Sequence, residues 1–258
     1  MMELTDTHTH LYYLYGTPEL AAQMDRCFAN GVKHCLLPNV DRASIANVLG
    51  TVAAYPNHCY AMMGLHPCDV KADYRQELEQ IEQTIATTTT KIYGIGEIGI
   101  DLHWDKTTLP LQQEAFRIQT GWAKELGLPV SIHCRNAFDE LFELLEEVQD
   151  GRLTGVLHCF TGNSEQAQRT IDLGLHLGIG GILTYKNAGL DTVVAGLDLR
   201  HVVLETDTPY LAPVPHRGKK NESSYLPFIA QKIADLHGIP VDTVAAITTE
   251  NAKRIFAI

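Results

Sequence analysis

Short apolar segments alternate with helical segments along the whole chain, and this repetition is the feature that most constrains its fold. Each apolar segment has the length and composition of a buried strand, and the spacing between them is roughly 20 to 35 residues. The predicted strands are residues 4–8, 34–37, 58–63, 92–96, 129–133, 155–158, 176–179 and 202–205. Because strands that alternate with helices form parallel βαβ units, the sequence predicts an α/β fold, a TIM-type (β/α)8 barrel.

The segments between these strands carry helix signals. Thr17 followed by Pro18 is typical of a helix start, and Gly31 is typical of its end. The predicted helices are residues 18–30, 41–55, 74–85, 109–126, 138–148, 165–173 and 188–195, and the chain is helical from about residue 224. A doubly wound open sheet is the alternative, but its Gly-x-Gly-x-x-Gly fingerprint is absent after the first strand.

Length and composition agree with one barrel. The chain has 258 residues, and such a barrel commonly needs about 250. No linker interrupts it, so we predict a single domain over residues 1–258. The amino-terminal residues lack the features of a signal peptide, and no run of about 18 apolar residues occurs. The six cysteines are scattered, as is typical of reduced thiols. We expect a cytoplasmic protein without a membrane partner, and no obligate protein partner is evident.

Histidines and carboxylates stand where the predicted strands end. The segment Thr5-Asp6-Thr7-His8-Thr9-His10 places two histidines on one face if it is extended. Each of these residues alone can be explained structurally, as a hydrogen-bonded core histidine or a helix cap. In a barrel, however, the carboxyl ends of the strands meet at one rim, where reactive residues lie. The predicted metal ligands at this rim are His8, His10, Glu97, His133, His158 and Asp207.

The size of this ligand set indicates two divalent ions. Six ligands are too many for one tetrahedral ion with an open position. Glu97 is the predicted bridge, because a carboxylate can offer one oxygen to each ion, and two neighbouring ions can hold a hydroxide between them. Asp207 is a predicted ligand and general base, so Glu97 and Asp207 are the predicted catalytic carboxylates. Nitrogen and oxygen ligands without thiolate admit Zn²⁺, Mn²⁺, Co²⁺ or Mg²⁺.

Motifs along nearly the whole chain resemble the TatD-type metal-dependent deoxyribonucleases, a family of the amidohydrolase-like barrel superfamily. They are Asp6-Thr7-His8-Thr9-His10-Leu11, Gly64-Leu65-His66-Pro67, Gly96-Glu97-Ile98-Gly99-Ile100-Asp101, Ile132-His133-Cys134-Arg135, His158-Cys159-Phe160-Thr161-Gly162, Glu205-Thr206-Asp207-Thr208-Pro209-Tyr210-Leu211, Arg217-Gly218-Lys219-Lys220-Asn221-Glu222 and Asn251-Ala252. The resemblance implies one ion on His8, His10, Glu97 and Asp207, and a second on Glu97, His133 and His158. It also implies hydrolysis of phosphodiesters in DNA. Ser223 and Thr208 depart from the usual family residues, but neither is a ligand.

Four residues are predicted to bind substrate: Arg135, His66, Arg217 and Lys219. Arg135 can hold a phosphate oxygen, or it can form an ion pair with Asp101. Arg217 and Lys219 belong to a dense basic run after the last strand, which can contact phosphate or be simply a solvated surface.

Two further residues near the predicted rim were assigned by position. For Trp104, core packing is favoured over stacking on a base. Glu205 shares a strand face with Asp207 and is predicted to orient a ligand histidine.

The sequence leaves three functional classes to be compared. The leading prediction is a phosphodiesterase or deoxyribonuclease that uses a hydroxide bound by two metals. The alternative is a hydrolase of a small cyclic amide, lactone or phosphoester on the same binuclear site, which the net charge of −11 favours because acidic surfaces repel nucleic acid. Such barrels often bridge their metals with a carboxylated lysine, whereas Glu97 stands at that point here. A non-enzymatic binding barrel would lack some of the ligands.

Overall fold

The computed structural model describes residues 2–186 and 188–258, and within them the chain forms eight parallel strands that pair in sequence order. The strands are β1 (Leu4–Asp6), β2 (Val32–Pro38), β3 (Cys59–Met63), β4 (Ile92–Asp101), β5 (Val130–Arg135), β6 (Gly155–Leu157), β7 (Leu175–Ile179) and β8 (Val202–Leu204). Just beyond β1, the Thr7 N–H donates to Leu204 O (3.0 Å), and the Asp207 N–H donates to His8 O (2.9 Å). These hydrogen bonds close the sheet, so the predicted (β/α)8 barrel is confirmed.

The helices follow the strands along the chain, close to their predicted bounds. They are α1 (Pro18–Ala29), α2 (Ile45–Ala54), α3 (Tyr74–Thr87), α4 (Leu109–Leu126), α5 (Phe138–Val148), α6 (Ser164–Asp172), α7 (Leu190–Ala195), α8 (Leu226–His237) and α9 (Val241–Phe256). The predicted helix at 41–55 is divided, because Asp41 Oδ1 accepts the Ser44 N–H (2.8 Å) and a short 3-10 turn precedes α2. None of the helices in the described residues is long and apolar enough to cross a membrane.

Apolar side chains pack on both faces of the sheet. Every residue of β3 is buried, as expected for a parallel strand covered on both sides. The larger cluster joins the strands to the surrounding helices. A smaller cluster combines alternate strand residues with the last helix, namely Leu36, Tyr60, Met62, Val156, Val203, Ala252 and Phe256. Because side chains alternate along a strand, this cluster lies inside the barrel, and α9 covers the amino ends of the strands.

The strand ends differ most from the prediction. β1 stops at Asp6, whereas β4 continues to Asp101, so Glu97 lies inside β4 and not at its end. Gly99 explains the longer β4: its φ is +149°, and a Cβ there would collide with the backbone oxygen of His133. Without a side chain, β4 stays paired with β5 as far as Asp101 and Arg135.

Candidate metal centre

Glu97 is 3% exposed, and its two carboxylate oxygens face different histidines. Oε2 lies 3.2 Å from His8 Nε2 and 3.7 Å from His10 Nε2. Oε1 lies 3.0 Å from His133 Nδ1 and 3.1 Å from His158 Nε2. One carboxylate therefore stands between two pairs of imidazole nitrogens, which is the arrangement that a bridging ligand requires.

Asp207 joins the Oε2 side of this cluster. Its Oδ1 atom lies 3.3 Å from His10 Nε2, and its side chain is 15% exposed. The ligand atoms of His8, His10 and Asp207 lie within 4.8 Å of one another. Since Glu97 is more deeply buried, Asp207 is the carboxylate of this pair that opens toward the solvent.

The backbone is strained at the same rim. Within the described residues, the loops directly after β5, β6 and β8 contain four residues other than glycine with positive φ, namely Asn136 (55°), Cys159 (47°), Asp207 (57°) and Leu211 (55°). Such conformations are costly and cluster at functional sites, where the surrounding structure holds them in place.

Each of the four histidines around Glu97 is oriented by a partner on its other ring nitrogen. The pairs are His8 Nδ1 with Ser131 Oγ (3.0 Å), His10 Nδ1 with Tyr12 Oη (2.8 Å), His133 Nε2 with Asp101 Oδ2 (2.9 Å), and His158 Nδ1 with Glu205 Oε1 (3.2 Å). A second hydrogen bond of this kind is what metal-binding histidines almost always make. The structure thus places Glu205 where the sequence predicted.

The sequence analysis missed the other three orienting residues. Asp101 was considered only as an ion-pair partner, although it stands four residues after Glu97 in the same strand. Ser131 stands two residues before His133 in β5. Even spacing along a strand puts side chains on one face, so this periodicity was the signal that could have identified both. Tyr12 lies in a 3-10 turn, where no such rule applies.

His66 approaches the same carboxylate but differs from the other histidines. Its Nε2 atom lies 3.3 Å from Glu97 Oε1. Its Nδ1 atom accepts the backbone N–H of Cys68 (3.1 Å), so in neutral His66 the proton is on Nε2. A nitrogen that carries a proton cannot bind a metal. Although the ligand atoms of His66, Glu97 and His133 are close, His66 therefore acts as a hydrogen-bond donor in this geometry.

The donor set fits divalent ions. When four ligand atoms surround an ion tetrahedrally at about 2.1 Å from it, neighbouring ligand atoms are about 3.4 Å apart. The nitrogen–oxygen distances on the Oε2 side, from 3.2 to 3.7 Å, are close to that value. Burial lowers the pKa of His8, which favours the neutral form that a metal needs. Burial by itself raises the pKa of Glu97, but the surrounding imidazoles of His66, His8 and His158 outweigh burial and hold that pKa well below its ordinary value.

The neighbouring carboxylates favour a positive charge on His158. Burial lowers the pKa of His158, but Glu205 and Glu97 outweigh it and raise that pKa well above its ordinary value. Burial also raises the pKa of Asp207. The hydrogen bond with His10 and the charge of His158 outweigh burial, so the pKa is lowered overall and Asp207 stays ionised. A cation at this point is therefore favoured electrostatically.

The cluster lies at the base of a cavity of about 710 Å³. His66 and Arg135, both predicted to bind substrate, line this cavity. Trp104 also lines it and is 73% exposed, so the prediction of core packing is wrong. The predicted alternative for Arg135 does not form either: Asp101 is bonded to His133, and the Arg135 guanidinium lies 5.6 Å from the centre of the Trp104 ring.

The basic run after β8 does not form the cavity wall. The residues that line the cavity within the described ranges do not include Arg217 or Lys219. The Arg217 guanidinium lies 4.3 Å from the centre of the Tyr185 ring, and Lys219 is exposed. A contact of these two residues with substrate therefore stays a prediction.

Comparisons with known proteins show the family to which this chain belongs. The sequence model of the TatD related DNase family matches residues 5–257. The protein named "uncharacterized metal-dependent hydrolase YabD" from Bacillus subtilis (strain 168) is 37% identical over 256 residues, covering 99% of both chains. The protein named "3'-5' ssDNA/RNA exonuclease TatD" from Yersinia pseudotuberculosis serotype O:3 (strain YPIII) is 33% identical over 241 residues, covering 91% of this chain and 92% of the relative.

A solved structure shares the whole fold. The crystal structure of YJJV, a TatD homolog from Escherichia coli k12, superposes with a TM-score of 0.92 at 30% sequence identity. The match covers 99% of this chain and 98% of that chain. With a family match across almost its full length, this chain belongs to the TatD-related DNase family.

Proposed function

We propose that this protein uses two divalent metal ions to hydrolyse phosphodiester bonds in single-stranded DNA or RNA. The observation that most supports this is the position of Glu97, whose two oxygens each face a separate pair of imidazole nitrogens. An unpaired nucleic acid is the proposed substrate because the relative from Yersinia pseudotuberculosis is named as an exonuclease of ssDNA and RNA.

The proposed ligands are divided between the two sides of Glu97. One ion would be held by His8, His10, Glu97 and Asp207, and the other by Glu97, His133 and His158. All donors are nitrogen or oxygen, so Zn²⁺, Mn²⁺, Co²⁺ and Mg²⁺ are the candidates.

The residues around the cluster have distinct proposed roles. When bound, the ions would supply a lowered pKa for water and positive charge for the phosphate. Asp207 would accept the proton of the attacking water, because it is ionised and opens to the cavity. His66, whose Nε2 carries a proton, and Arg135 line the cavity and would donate hydrogen bonds to phosphate oxygens.

Metal-reconstituted activity tests this proposal. The protein is stripped with a chelator, its metal content is measured, and each candidate ion is restored separately. Substrates are a single-stranded DNA, an RNA, a duplex, a p-nitrophenyl phosphodiester and a lactone. We expect no activity in the stripped protein, recovery with at least one ion, and the highest kcat/KM on single strands. A Glu97→Gln protein purified in parallel controls for a contaminating nuclease.

Two outcomes would contradict the proposal. Full-rate cleavage by a protein that contains no metal would exclude metal-dependent chemistry. A higher kcat/KM on the lactone or on a small phosphoester than on any oligonucleotide would favour the second candidate function, a small-molecule hydrolase, which the net charge of −11 supports.

A further inference from the structure

Trp104 is an apolar side chain left in solvent beside the metal cluster. Among the large apolar side chains of residues 2–186 and 188–258, its exposed fraction of 73% is the highest. It lies in the loop after β4 and lines the same cavity as Glu97 and His133. An exposed aromatic ring at a cavity wall offers a bound ligand an apolar face to pack against.

Two contacts position the loop that carries this ring. The backbone N–H of Trp104 donates to Asp101 Oδ1 (3.4 Å), and the other oxygen of Asp101 bonds His133 Nε2 (2.9 Å). The His103 ring meets the indole edge-on, with 4.7 Å between centroids. The backbone of Trp104 is therefore tied to the partner of a proposed metal ligand, while most of the indole stays exposed.

Arg135 places a positive charge next to the exposed ring. Its guanidinium lies 5.6 Å from the indole centroid, and it lines the cavity too. An aromatic face with a cation beside it matches a nucleotide, because the base can stack on the ring while the phosphate binds the guanidinium. Bases within a duplex are already stacked on both faces, so only an unpaired base can use this surface.

We propose that Trp104 and Arg135 form a stacking platform for the unpaired base next to the phosphodiester that is cleaved, and that this platform sets the preference for single strands over duplexes. The inference rests on the proposed nuclease function. It assigns Trp104 a role in substrate binding and not in the chemical step.

Fluorescence gives a test that does not need turnover. The other tryptophan, Trp122, is 8% exposed in α4, so quenching by a bound strand reports on Trp104. In the metal-loaded wild-type protein, a single-stranded oligonucleotide with uncleavable linkages should quench the emission, whereas a duplex and an abasic strand with the same linkages should quench it far less. Equal quenching by the normal and abasic strands would overturn the inference.

Kinetics of Trp104→Ala complete the test. We expect KM for the single strand to rise about tenfold with kcat little changed, and no change for the abasic strand. Trp104→Phe should recover most of the loss, since it restores an aromatic face. Phe228→Ala is the matched control, because Phe228 is an exposed aromatic residue (39%) that does not line the cavity.

The outcomes separate the two proposals. If the wild-type protein cleaves oligonucleotides but Trp104→Ala treats the normal and abasic strands in the wild-type ratio, the stacking platform is wrong and the nuclease function stands. If the wild-type protein cleaves no oligonucleotide with any metal, the nuclease function fails and the inference fails with it.

Discussion

Buried polar groups at the two ends of the barrel have different kinds of partner. At the amino ends of the strands, Asn251 of α9 donates to Leu199 O (2.7 Å) and Val202 O (2.8 Å), and Phe256 seals the interior at 2% exposure. At the carboxyl ends, ring nitrogens and carboxylate oxygens are aimed at one another around Glu97, beside strained backbone and an exposed indole.

This difference indicates that the amino end stabilises the fold and the carboxyl rim carries the function. At the amino end, the hydrogen bonds of Asn251 end on carbonyl groups of the chain itself, so they stabilise the fold. At the carboxyl rim, hydrogen bonds orient the histidines through one ring nitrogen, and the other ring nitrogen of each faces Glu97. A barrel separates stability from function in this way, and changes at the two ends should affect different measurements.

The largest effect is expected from Glu97→Gln, which removes the charge shared by both sides of the cluster. Activity should fall about a thousandfold or more, and metal content should drop with it. Circular dichroism should show an unchanged fold, because glutamine has nearly the same volume. A variant that keeps both ions and most of its activity would refute the bridging role of Glu97.

His66→Asn separates a hydrogen-bond donor from a metal ligand. Asparagine can still accept the Cys68 N–H but is too short to reach Glu97. We expect kcat/KM to fall about a hundredfold, while elemental analysis finds the metal content unchanged. His133→Ala is the control and should lose metal. If both variants lose the same ion, His66 is a ligand and the tautomer inferred from its contact with Cys68 is wrong.

Asp101→Asn weakens the orientation of His133 without replacing a proposed ligand. Metal affinity should decrease about 10- to 100-fold, as measured by competition with a chromophoric chelator. Thermal stability of the stripped protein should change little, because the carboxamide replaces the carboxylate with similar volume. Unchanged affinity would show that His133 does not depend on its carboxylate partner.

Asn251→Ala is the counterpart at the amino end. Two buried carbonyl groups lose their donor, so the free energy of unfolding should decrease by about 2–3 kcal/mol and the melting temperature by roughly 4–10 °C. Metal affinity and kcat/KM at 25 °C should match the wild type. A loss of activity in folded, metal-loaded protein would contradict the separation between the two ends.

The smallest effect is expected for Arg217→Ala, because Arg217 lies over Tyr185 and outside the cavity lining. On a short single strand, kcat/KM should change less than about threefold. Arg135→Ala should raise KM about tenfold. Equal effects of the two variants would place the basic run in contact with the substrate after all, as the sequence predicted.

The sequence predicted the barrel and the gathering of the six proposed ligands because both follow from local patterns and one topological rule. Apolar periodicity defines the strands, and a parallel barrel brings their carboxyl ends together. The extension of β4 past Glu97 was missed, since it depends on how Gly99 meets the backbone of β5.

Details of the site escaped prediction for a related reason. The proton on His66 Nε2 follows from one backbone contact with Cys68, and the exposure of Trp104 follows from what packs around its loop. Neither residue type nor spacing encodes such contacts. Residues whose contacts depend on a turn, such as Tyr12, or on a neighbouring strand, such as Asp101, need coordinates before a role can be assigned.

The closure of the barrel has a consequence for synthesis of the protein. His8 and Asp207 come from opposite ends of the chain, and the hydrogen bond between the Asp207 N–H and His8 O forms only after β8 exists. A nascent chain on the ribosome holds an incomplete ligand set until more than 200 residues have been made. The proposed metal centre is therefore complete only after β8 and Asp207 have been synthesised.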